Sequence, residues 1–459
     1  MNNKIKIVCA LLVTMLFQTT AFSEEEIVVK LATESHRLPI VIEPIQAESS
    51  DFPKEHLQAL LDVFSFDMNA NGMTQVIAPK DKKRFQLLQG SFGFDKAPDF
   101  AKCKEADIFY LIKSKMEGKS LAVKMIAING QSVKLIEGIS CTGDLAKDRK
   151  TMHHLADSIH EMLFQKPGIA SQRIIFTLKN GAESAKAANK FVSEVFEADY
   201  DGANEKQLTN ENAFCVTPLF VPSTNGAKSP CLVFVSYKIG QPKIYFALAK
   251  DGKPRRLTTI KGNQMTPQVS RDGTKIAFAC DATGSSDLFL QTFHPSTGAL
   301  SKPRQIFAAK GAAQASPTFS PDGKQIAFVS NKDGTPKIYV MDIPPEGATS
   351  KDLHPKLISK RCRENSAPAW SPDGTKIAYS AKSSGNRQIW IYDFETHEER
   401  QLTSGKGDKE NPAWAPNSLH LLFNAIDDKK TELYLINLNQ SEAFKITSGD
   451  GEKRFPCWK

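Results

Sequence analysis

Three side chains capable of metal-binding or acid–base chemistry, His153, Asp157 and His160, recur at helical spacing. Residues at i, i+4 and i+7 lie on one face of a helix, and imidazole and carboxylate groups are ligands that Zn²⁺ accepts. This face lies opposite the apolar stripe of the same predicted helix, where polar residues occur without any function. The spacing therefore favours a solvated helix face, and we predict no metal site here.

Two shorter motifs resemble known sites but are incomplete. His160-Glu161 begins like the zinc-protease sequence H-E-x-x-H and lacks its second histidine. Asp199-Tyr200-Asp201-Gly202 resembles the start of a calcium loop without the later ligands, so a hairpin turn is the better interpretation. No G-x-S-x-G nucleophile motif is present. The sequence therefore predicts no catalytic residue, no metal and no cofactor.

The cysteines indicate neither a zinc nor a thioredoxin-like site, because no C-x-x-C pair is present. Cys9 lies inside a predicted signal peptide, which leaves an odd number of thiols in the mature chain. Cys103 with Cys141, and Cys215 with Cys231, are the closest pairs within a domain and could bridge in an oxidising compartment. The sequence leaves the pairing open. The mature thiols are Cys103, Cys141, Cys215, Cys231, Cys280, Cys362 and Cys457.

A short sequence phrase occurs six times in the chain. It begins with proline, ends in an apolar or aromatic residue, and marks the repeated elements of the fold. Successive prolines are separated by 49, 50, 51, 44 and 44 residues. Self-similarity at a period of about 40–50 residues in strand-like sequence indicates a radial array of small sheets. The phrases are Pro218-Leu219-Phe220, Pro267-Gln268-Val269, Pro317-Thr318-Phe319, Pro368-Ala369-Trp370, Pro412-Ala413-Trp414 and Pro456-Cys457-Trp458.

Each repeat has the residues for four short strands. Ser320-Pro321-Asp322-Gly323 places proline and glycine where a type I turn needs a fixed φ and then a positive φ. The phrase precedes this turn, and strand-like runs at 326–329, 338–340 and 356–358 follow it. Four-stranded units around an axis form a β-propeller. We interpret the aspartates of these turns as turn formers: Asp272, Asp322 and Asp373.

The two ends of the array determine the number of units. The first unit begins at 173–178 and has no proline-led strand, whereas the chain ends in an extra one at 454–458. If the C-terminal strand supplies the innermost strand of the first unit, the ring closes without exposed sheet edges. This arrangement predicts six blades. An open stack of hairpins is the alternative, but such arrays need dedicated caps.

Residues 1–23 have the pattern of a signal peptide. Lys4 and Lys6 precede an apolar run, and small residues stand at Ala21 and Ser23. The apolar run is too short to serve as a bilayer anchor. We therefore predict a mature protein that is exported and soluble.

Residues 24–168 have a mixed pattern that predicts an α+β domain. Apolar residues at helical spacing mark helices at 53–68, with Asp51 as the cap, and at 148–164. Runs at 27–31, 40–45, 108–116 and 121–128 are typical of strands, and 166–168 form the linker. About 145 residues is the size of one compact domain. The predicted fold is thus an α+β domain at 24–168 followed by an all-β, six-bladed propeller at 169–459.

Charge and loop composition indicate a protein partner. The formal net charge of +8 comes from scattered residues, without a basic run, which argues against nucleic-acid binding. In a propeller, the loops that lead into the innermost strands surround one mouth of the channel. Here these loops carry charges of both signs, which suit a charged protein segment. The charged candidates are Arg363, Glu364, Asp408 and Glu410, with Asn411 beside them.

The leader, the α+β domain, the repeat Trp370-Ser371-Pro372-Asp373-Gly374 and the terminal Phe455-Pro456-Cys457-Trp458 together resemble the TolB family, the periplasmic component of the Tol-Pal envelope system. The resemblance covers essentially the whole chain. It implies a non-catalytic adaptor that binds the peptidoglycan-associated lipoprotein Pal at the channel mouth and helps to maintain outer-membrane integrity and envelope constriction during cell division. The matching loop positions are Gln264, Met265, Thr266, Gln314, Ala315, Ser316, Asn365, Ser366 and Ala367.

The resemblance also implies that the mature N-terminal segment, about Glu24 to Leu38, docks reversibly or contacts the inner-membrane partner TolA. The chain departs from the family in its cysteine content, in Ser418 where a turn glycine is expected, and in a longer loop after Pro218. The alternative function is an exported β-propeller hydrolase or lyase that acts on a peptide or sugar. Absence of a recurring His/Asp/Glu cluster at the mouth disfavours that alternative.

Overall fold

The computed structural model describes residues 37–179, 192–221, 231–248, 252–294, 297–348, 353–427 and 430–459. The predicted signal peptide at 1–23, the predicted strand at 27–31 and the segment from Glu24 as far as residue 36 lie outside the described residues. Within those ranges, no helix combines the length and the apolar character that crossing a bilayer requires.

An α/β region precedes the propeller. Its sheet has the order β3-β1-β4-β5-β6, with β2 also beside β4. Helices α1 and α4 pack on this sheet through buried side chains such as Leu60 and Ile159. The elements are β1 (Leu38–Ile42), β2 (Gln46–Ser50), α1 (Lys54–Ala70), β3 (Thr74–Val76), α2 (Lys82–Leu88), a 3-10 turn (Gln89–Ser91), α3 (Phe100–Glu105), β4 (Tyr110–Gly118), β5 (Ser120–Ala127), β6 (Ser132–Ser140) and α4 (Leu145–Phe164).

Both helices that the periodicity predicts are present, with different starts. The residue that precedes α1 is Pro53, which makes no side-chain cap, so the prediction of Asp51 as the cap was wrong. Helix α4 begins before the predicted residue 148, because the Asp144 carboxylate accepts a hydrogen bond from the Ala146 amide at 3.0 Å. Strand β6 was missed because its side chains are mostly exposed and lack a buried alternation.

The rest of the chain forms a β-propeller of short antiparallel strands. Four sheets are separate and have four or five strands each, and a further sheet has eight. The separate sheets contain β10 (Cys215–Val221), β11 (Cys231–Ser236), β12 (Lys243–Leu248) and β13 (Arg255–Arg256); β14 (Gln264–Val269), β15 (Lys275–Cys280), β16 (Asp287–His294), β17 (Ala299–Leu300) and β18 (Arg304–Phe307); β19 (Gln314–Phe319), β20 (Gln325–Ser330), β21 (Lys337–Asp342) and β22 (Lys356–Leu357); β23 (Asn365–Trp370), β24 (Lys376–Ser383), β25 (Asn386–Asp393) and β26 (Glu399–Gln401).

The eight-stranded sheet contains both ends of the array. Its last strand pairs with its first, with Trp458 opposite Ile174 and Lys453 opposite Leu178, so the predicted pairing of the C-terminal strand with residues 173–178 is confirmed. A single pair, Thr431 opposite Glu452, connects the two halves of the sheet. Its strands are β7 (Arg173–Lys179), β8 (Ser193–Asp199), β9 (Lys206–Gln207), β27 (Asp408–Trp414), β28 (His420–Asp427), β29 (Lys430–Asn437), β30 (Phe444–Lys445) and β31 (Glu452–Trp458).

The propeller core is built from cross-strand aromatic pairs. Adjacent middle strands place two rings opposite each other, and neighbouring sheets pack against them. Such pairs explain why the same two positions of each repeat are aromatic, since stacked rings bury large apolar areas between strands. Stacked pairs with centroids 5.7–6.2 Å apart are Phe176–Phe196, Phe234–Tyr245, Phe278–Phe289, Phe328–Tyr339 and Phe423–Tyr434.

Candidate partner-binding site at the channel mouth

The six proline-led phrases lie together and line a central channel. A cavity of about 540 Å³ is bounded by the innermost strands β10, β14, β19, β23, β27 and β31. In each of these strands the pairing with the next strand shifts by one residue immediately around the proline. The repeated phrase is therefore a β-bulge facing the channel.

The bulge explains the proline. An innermost strand has one free edge, and proline, which has no N–H, is tolerated at edges and bulges. The residue before each proline has a positive φ of 47–54° although none of them is glycine. Such backbone is rare outside glycine and stores strain where the surrounding structure enforces it. The strained residues are Thr217, Thr266, Ser316, Ala367, Asn411 and Phe455.

One part of the mouth carries an arc of alternating charges. The Arg387 guanidinium lies 3.6 Å from both Glu364 and Glu410, and Arg454 then lies 3.7 Å from Glu410. Arg454 also contacts Glu452 at 3.2 Å, and the Lys179 ammonium lies 2.8 Å from Glu452. We call these six residues the charged arc: Lys179, Glu364, Arg387, Glu410, Glu452 and Arg454.

The arc is half-buried, with side-chain exposures between 25% and 40%. Burial acts to raise the pKa of Glu452, but the hydrogen bond and charge of Lys179, followed by the charge of Arg454, outweigh it and lower that pKa. Glu452 therefore stays ionised. Ion pairs at this exposure contribute little to stability, yet they present groups that can exchange one partner for another.

Another part of the mouth is an apolar cleft of about 460 Å³. Phe214 and Tyr237 lie on one side with their ring centroids 5.6 Å apart, and Tyr237 is 36% exposed. Such a cleft suits an apolar side chain, since aromatic rings supply area at low entropic cost. We call the following residues the apolar cleft: Phe214, Val216, Val235, Tyr237, Met265 and Phe455.

The structure places the predicted loop residues at the mouth, but some inside strands. Gln264, Gln314 and Asn365 are 0–1% exposed, since each begins an innermost strand and its side chain donates to a nearby backbone carbonyl: Gln264 to Ile260, Gln314 to Ala313 and Asn365 to Cys362. The prediction that these three present a binding surface was therefore wrong. The other predicted positions are partly or fully exposed: Met265, Thr266, Ala315, Ser316, Arg363, Glu364, Ser366, Ala367, Asp408, Glu410 and Asn411.

Sequence reasoning missed four residues of the mouth. Arg387 begins the third strand of its sheet and Lys179 ends β7, so neither lies in the loops that were considered. Phe214 directly precedes β10 and Tyr237 directly follows β11, so neither lies in the loops that were considered. Strand order could have found them, because antiparallel pairing places the end of a second strand beside the start of the first.

The residues with metal-binding chemistry lie at the opposite ends of the propeller strands. His153 and His160 are 2% and 4% exposed, so the interpretation as a solvated helix face was wrong for both. Helix α4 packs between α1 and the first propeller strands, which buries the face that carries them. His153 lies within 4.8 Å of Asp199 and Asp201, measured between their ligand atoms. The predicted hairpin turn that contains both aspartates is present.

The thiols and turn aspartates have structural roles. Among the described residues, no disulfide joins any of the seven cysteines. Cys215 and Cys231 cannot bridge because they stand at opposite ends of one hairpin, and Cys103 and Cys141 belong to different core clusters.

The turn aspartates accept backbone hydrogen bonds two residues on, as predicted: Asp272 from Thr274, Asp322 from Lys324 and Asp373 from Thr375, each at 3.0 Å.

Comparisons with known proteins agree with this architecture. A family model described as the TolB beta propeller domain matches residues 160–459. The Protein TolB homolog of Protochlamydia amoebophila (strain UWE25) is 48% identical over 406 residues, which cover 88% of this chain and 86% of that protein. The homolog of Chlamydia trachomatis serovar L2 is 32% identical over 386 residues, covering 84% and 80%.

A solved structure shows the same fold. The crystal structure of TolB from Acinetobacter baumannii superposes with a TM-score of 0.71 at 21% identity, and the match covers 93% of this chain and 97% of that one. At this identity the likeness concerns the fold of both parts of the chain.

Proposed function

Since this chain belongs to the TolB family, we propose that it is a non-catalytic adaptor of the Tol-Pal system that binds a partner protein at the channel mouth. The observation that carries this proposal is the two-part mouth, in which an arc of alternating charges adjoins an apolar cleft. An apolar anchor in a pocket, surrounded by polar contacts, is the usual composition of a protein interface.

The proposed partner is the peptidoglycan-associated lipoprotein Pal. A segment of Pal would place an apolar side chain in the apolar cleft. Charged side chains of that segment would replace some of the ion-pair partners within the charged arc. The proposed contacts from the loops are Met265, Thr266, Ala315, Ser316, Arg363, Glu364, Ser366, Ala367, Asp408, Glu410 and Asn411, and Arg387, Tyr237 and Phe214 join them. Binding there would serve outer-membrane integrity and envelope constriction during division.

The channel lining supports an adaptor over an enzyme. Among the described residues around the cavity, Glu410 is the one carboxylate, Cys457 is the one thiol, and histidine is absent. Burial raises the pKa of Cys457 to about 11, which keeps this thiol protonated and unreactive at neutral pH. General acid–base work needs a pair of groups near the operating pH, and this lining offers none.

The architecture proposed for this role is a closed ring of six blades. Counting the eight-stranded sheet as two blades, joined at Thr431 and Glu452, gives each blade one proline bulge and one positive-φ residue directly before that proline. The proposed domains are residues 24–168 and 169–459. The proposed location is the periplasm, reached with the signal peptide at 1–23, and the segment from Glu24 to Leu38 is the proposed contact for TolA.

Charge reversal at the centre of the arc tests the adaptor. Glu410→Lys places a cation between Arg387 and Arg454, so we expect capture of purified Pal to fall by at least about tenfold, as one misplaced charge in an interface costs more than about 1.4 kcal/mol. Glu398→Lys is the matched control, since Glu398 is exposed in the turn that follows β25 at the far end of the sheet.

Two outcomes would overturn the proposal. Equal capture by Glu410→Lys and Glu398→Lys would show that the partner binds elsewhere. Absence of any complex with Pal, together with turnover of a peptide or sugar substrate, would favour the hydrolase or lyase instead.

A further inference from the structure

A buried cluster of ionisable groups joins the α/β region to the propeller. His153 of α4 contacts Asp67 of α1 through Nδ1 at 2.8 Å, and the Asp67 carboxylate also accepts from the Tyr200 hydroxyl at 2.7 Å. Tyr200 follows β8 and is 1% exposed. One histidine therefore sits where two helices meet a propeller turn.

The groups around His153 come from every element packed against it. Helix α1 supplies Asp67, helix α4 supplies Arg149 and Asp157, and the turn after β8 supplies Tyr200 and Asp201. From the propeller strands, Asp199 and Arg173 complete the cluster, and Glu197 beyond them pairs with Lys459 at 2.6 Å. The Asp157 carboxylate already accepts hydrogen bonds from the backbone amides of Ala170 and Ser171, each at 2.8 Å.

Burial raises the pKa of Asp67, and the hydrogen bond and charge of His153 oppose that rise. With Asp67 ionised, charge in the centre of this cluster balances when His153 carries a proton. Three carboxylates lie there, Asp67, Asp199 and Asp201, and two guanidinium groups neutralise two of them: Arg149 contacts Asp201 and Arg173 contacts Asp199. A neutral imidazole would leave one negative charge in a site from which water is excluded. Uncompensated buried charge is costly, whereas an imidazolium would cancel it.

The surroundings of the second ring nitrogen of His153 also favour a proton there. Nε2 is buried and has no hydrogen-bond partner, and its nearest ionised neighbour is Asp201 Oδ2 at 3.7 Å. A metal ion there would have to displace donors that are already in place. Besides the two arginines, the Ala203 amide donates to Asp201 at 3.2 Å, and the Asn204 side chain donates to Asp199 at 2.5 Å. A proton on Nε2 displaces nothing.

We propose that His153 is a proton-operated latch between the two parts of the molecule: its imidazolium holds the α/β region on the propeller, and loss of the proton weakens that docking. The latch is distinct from the channel mouth, which lies at the other ends of the strands, so its test does not depend on the proposed partner.

The direction of the pH response follows from the surroundings of His153. Burial lowers its pKa, but the hydrogen bond and charge of Asp67, then the charges of Asp201 and Asp199, outweigh burial and raise the pKa above its ordinary value. A raised pKa gives stability that is complete below the unfolded value near 6.5 and is lost as pH rises through the folded value. The contribution of His153 to docking is thus complete below about pH 6.5 and falls towards alkaline pH.

The experiment measures the docking and the proton on the full mature chain. Imidazole titration by NMR should give His153 a midpoint above that of exposed His154. Hydrogen exchange should be corrected for the intrinsic effect of pH. Above the His153 midpoint, the protection of α4 and of the turn at 199–204 should fall by about tenfold per pH unit, until His153 is fully unprotonated. Protection of β20 should stay unchanged over the same range.

Variants separate a latch from simple packing. His153→Gln keeps a donor for Asp67 but cannot be protonated, so its exchange in α4 should no longer depend on pH above about 6.5, and His154→Gln should match the wild type. If His153→Gln fails to fold, Asp201→Asn serves instead and should lower the His153 midpoint. A midpoint at or below that of His154, or a pH response retained by His153→Gln, overturns the latch. Stabilisation by added Zn²⁺ that a chelator reverses would overturn it in favour of a metal site.

Discussion

The channel mouth and the domain junction use the same residue types for different ends. At the mouth, the side chains of Arg387, Glu410 and Arg454 form alternating pairs that are 25–31% exposed. At the junction, Asp67 and Asp201 belong to a cluster whose members are nearly all buried. Water screens the first set and is excluded from the second. Burial, rather than composition, therefore decides which charges are free to meet a partner and which hold the molecule together.

Within the junction, two buried histidines have opposite surroundings. His153 lies among carboxylates, whereas His420 at the same junction is 0% exposed and its Nε2 lies 2.8 Å from the Ala70 carbonyl oxygen. Burial lowers the pKa of His420 to about 4, against a weaker opposing effect of that hydrogen bond. One junction thus contains a histidine that favours the proton and another that rejects it.

Removing a junction carboxylate should have the largest effect. Asp201→Ala removes a carboxylate whose side chain is 7% exposed and leaves Arg149, 19% exposed, without this partner, so we expect the free energy of unfolding to fall by about 3 kcal/mol. Glu410→Ala at the mouth should change it by less than about 1 kcal/mol. Urea denaturation of both variants measures the difference. Similar losses for the two would show that burial does not separate the regions.

Acid should weaken the junction through His420. Because its folded pKa is about 4 and the unfolded value is near 6.5, the unfolded state takes up the proton first, and stability falls as pH decreases from about 6.5 to 4, by up to about 3 kcal/mol. His153, whose folded pKa is raised, is protonated in both states in the lower part of this window and contributes its slope near and above pH 6.5.

The variant His420→Asn checks that acid response. Asparagine can still donate to the Ala70 carbonyl but does not titrate, so its unfolding free energy should fall less between pH 6.5 and 4 than that of the wild type. His294→Asn is the control, since His294 is exposed at the end of β16. An unchanged acid slope in His420→Asn would mean that other groups cause it.

The smallest expected effect concerns the apolar cleft. Tyr237→Ala should weaken capture of Pal by about 1–2 kcal/mol, the cost of truncating an aromatic anchor, with little change in stability because the residue is 36% exposed. Leu135→Ala is the matched control, since Leu135 is 48% exposed on β6 of the α/β region. Calorimetric titration with Pal measures both. Equal affinities would leave the charged arc as the sole determinant at the mouth.

Much of the propeller followed from the sequence. Turn residues such as Pro321 and Gly323 act within a few positions, and the alternation in each run sets which side chains enter the core, so a local pattern was sufficient. The pairing of residues 454–458 with 173–178 was also predictable, because an incomplete first unit and a surplus last strand require each other. Helix α4 was predicted from its periodicity, though not its cap at Asp144.

The mouth was predicted only in part. Glu364 and Glu410 were identified from loop charge, but Arg387 and Lys179 join them through strand pairing between segments far apart in the chain. Gln264 was misjudged because a polar residue at the start of an innermost strand turns its side chain inward to satisfy backbone groups.

The sequence by itself determined the repeat, the four strands of each unit and the bulge-forming prolines, since these depend on local backbone preferences and on a period of two along each strand. Only the tertiary structure decided which charged residues are buried. His153 has the sequence environment of a surface residue, and the packing of α4 between α1 and the first propeller strands removes it from water. Solvation depends on neighbours that are distant in the chain, and no local pattern contains them.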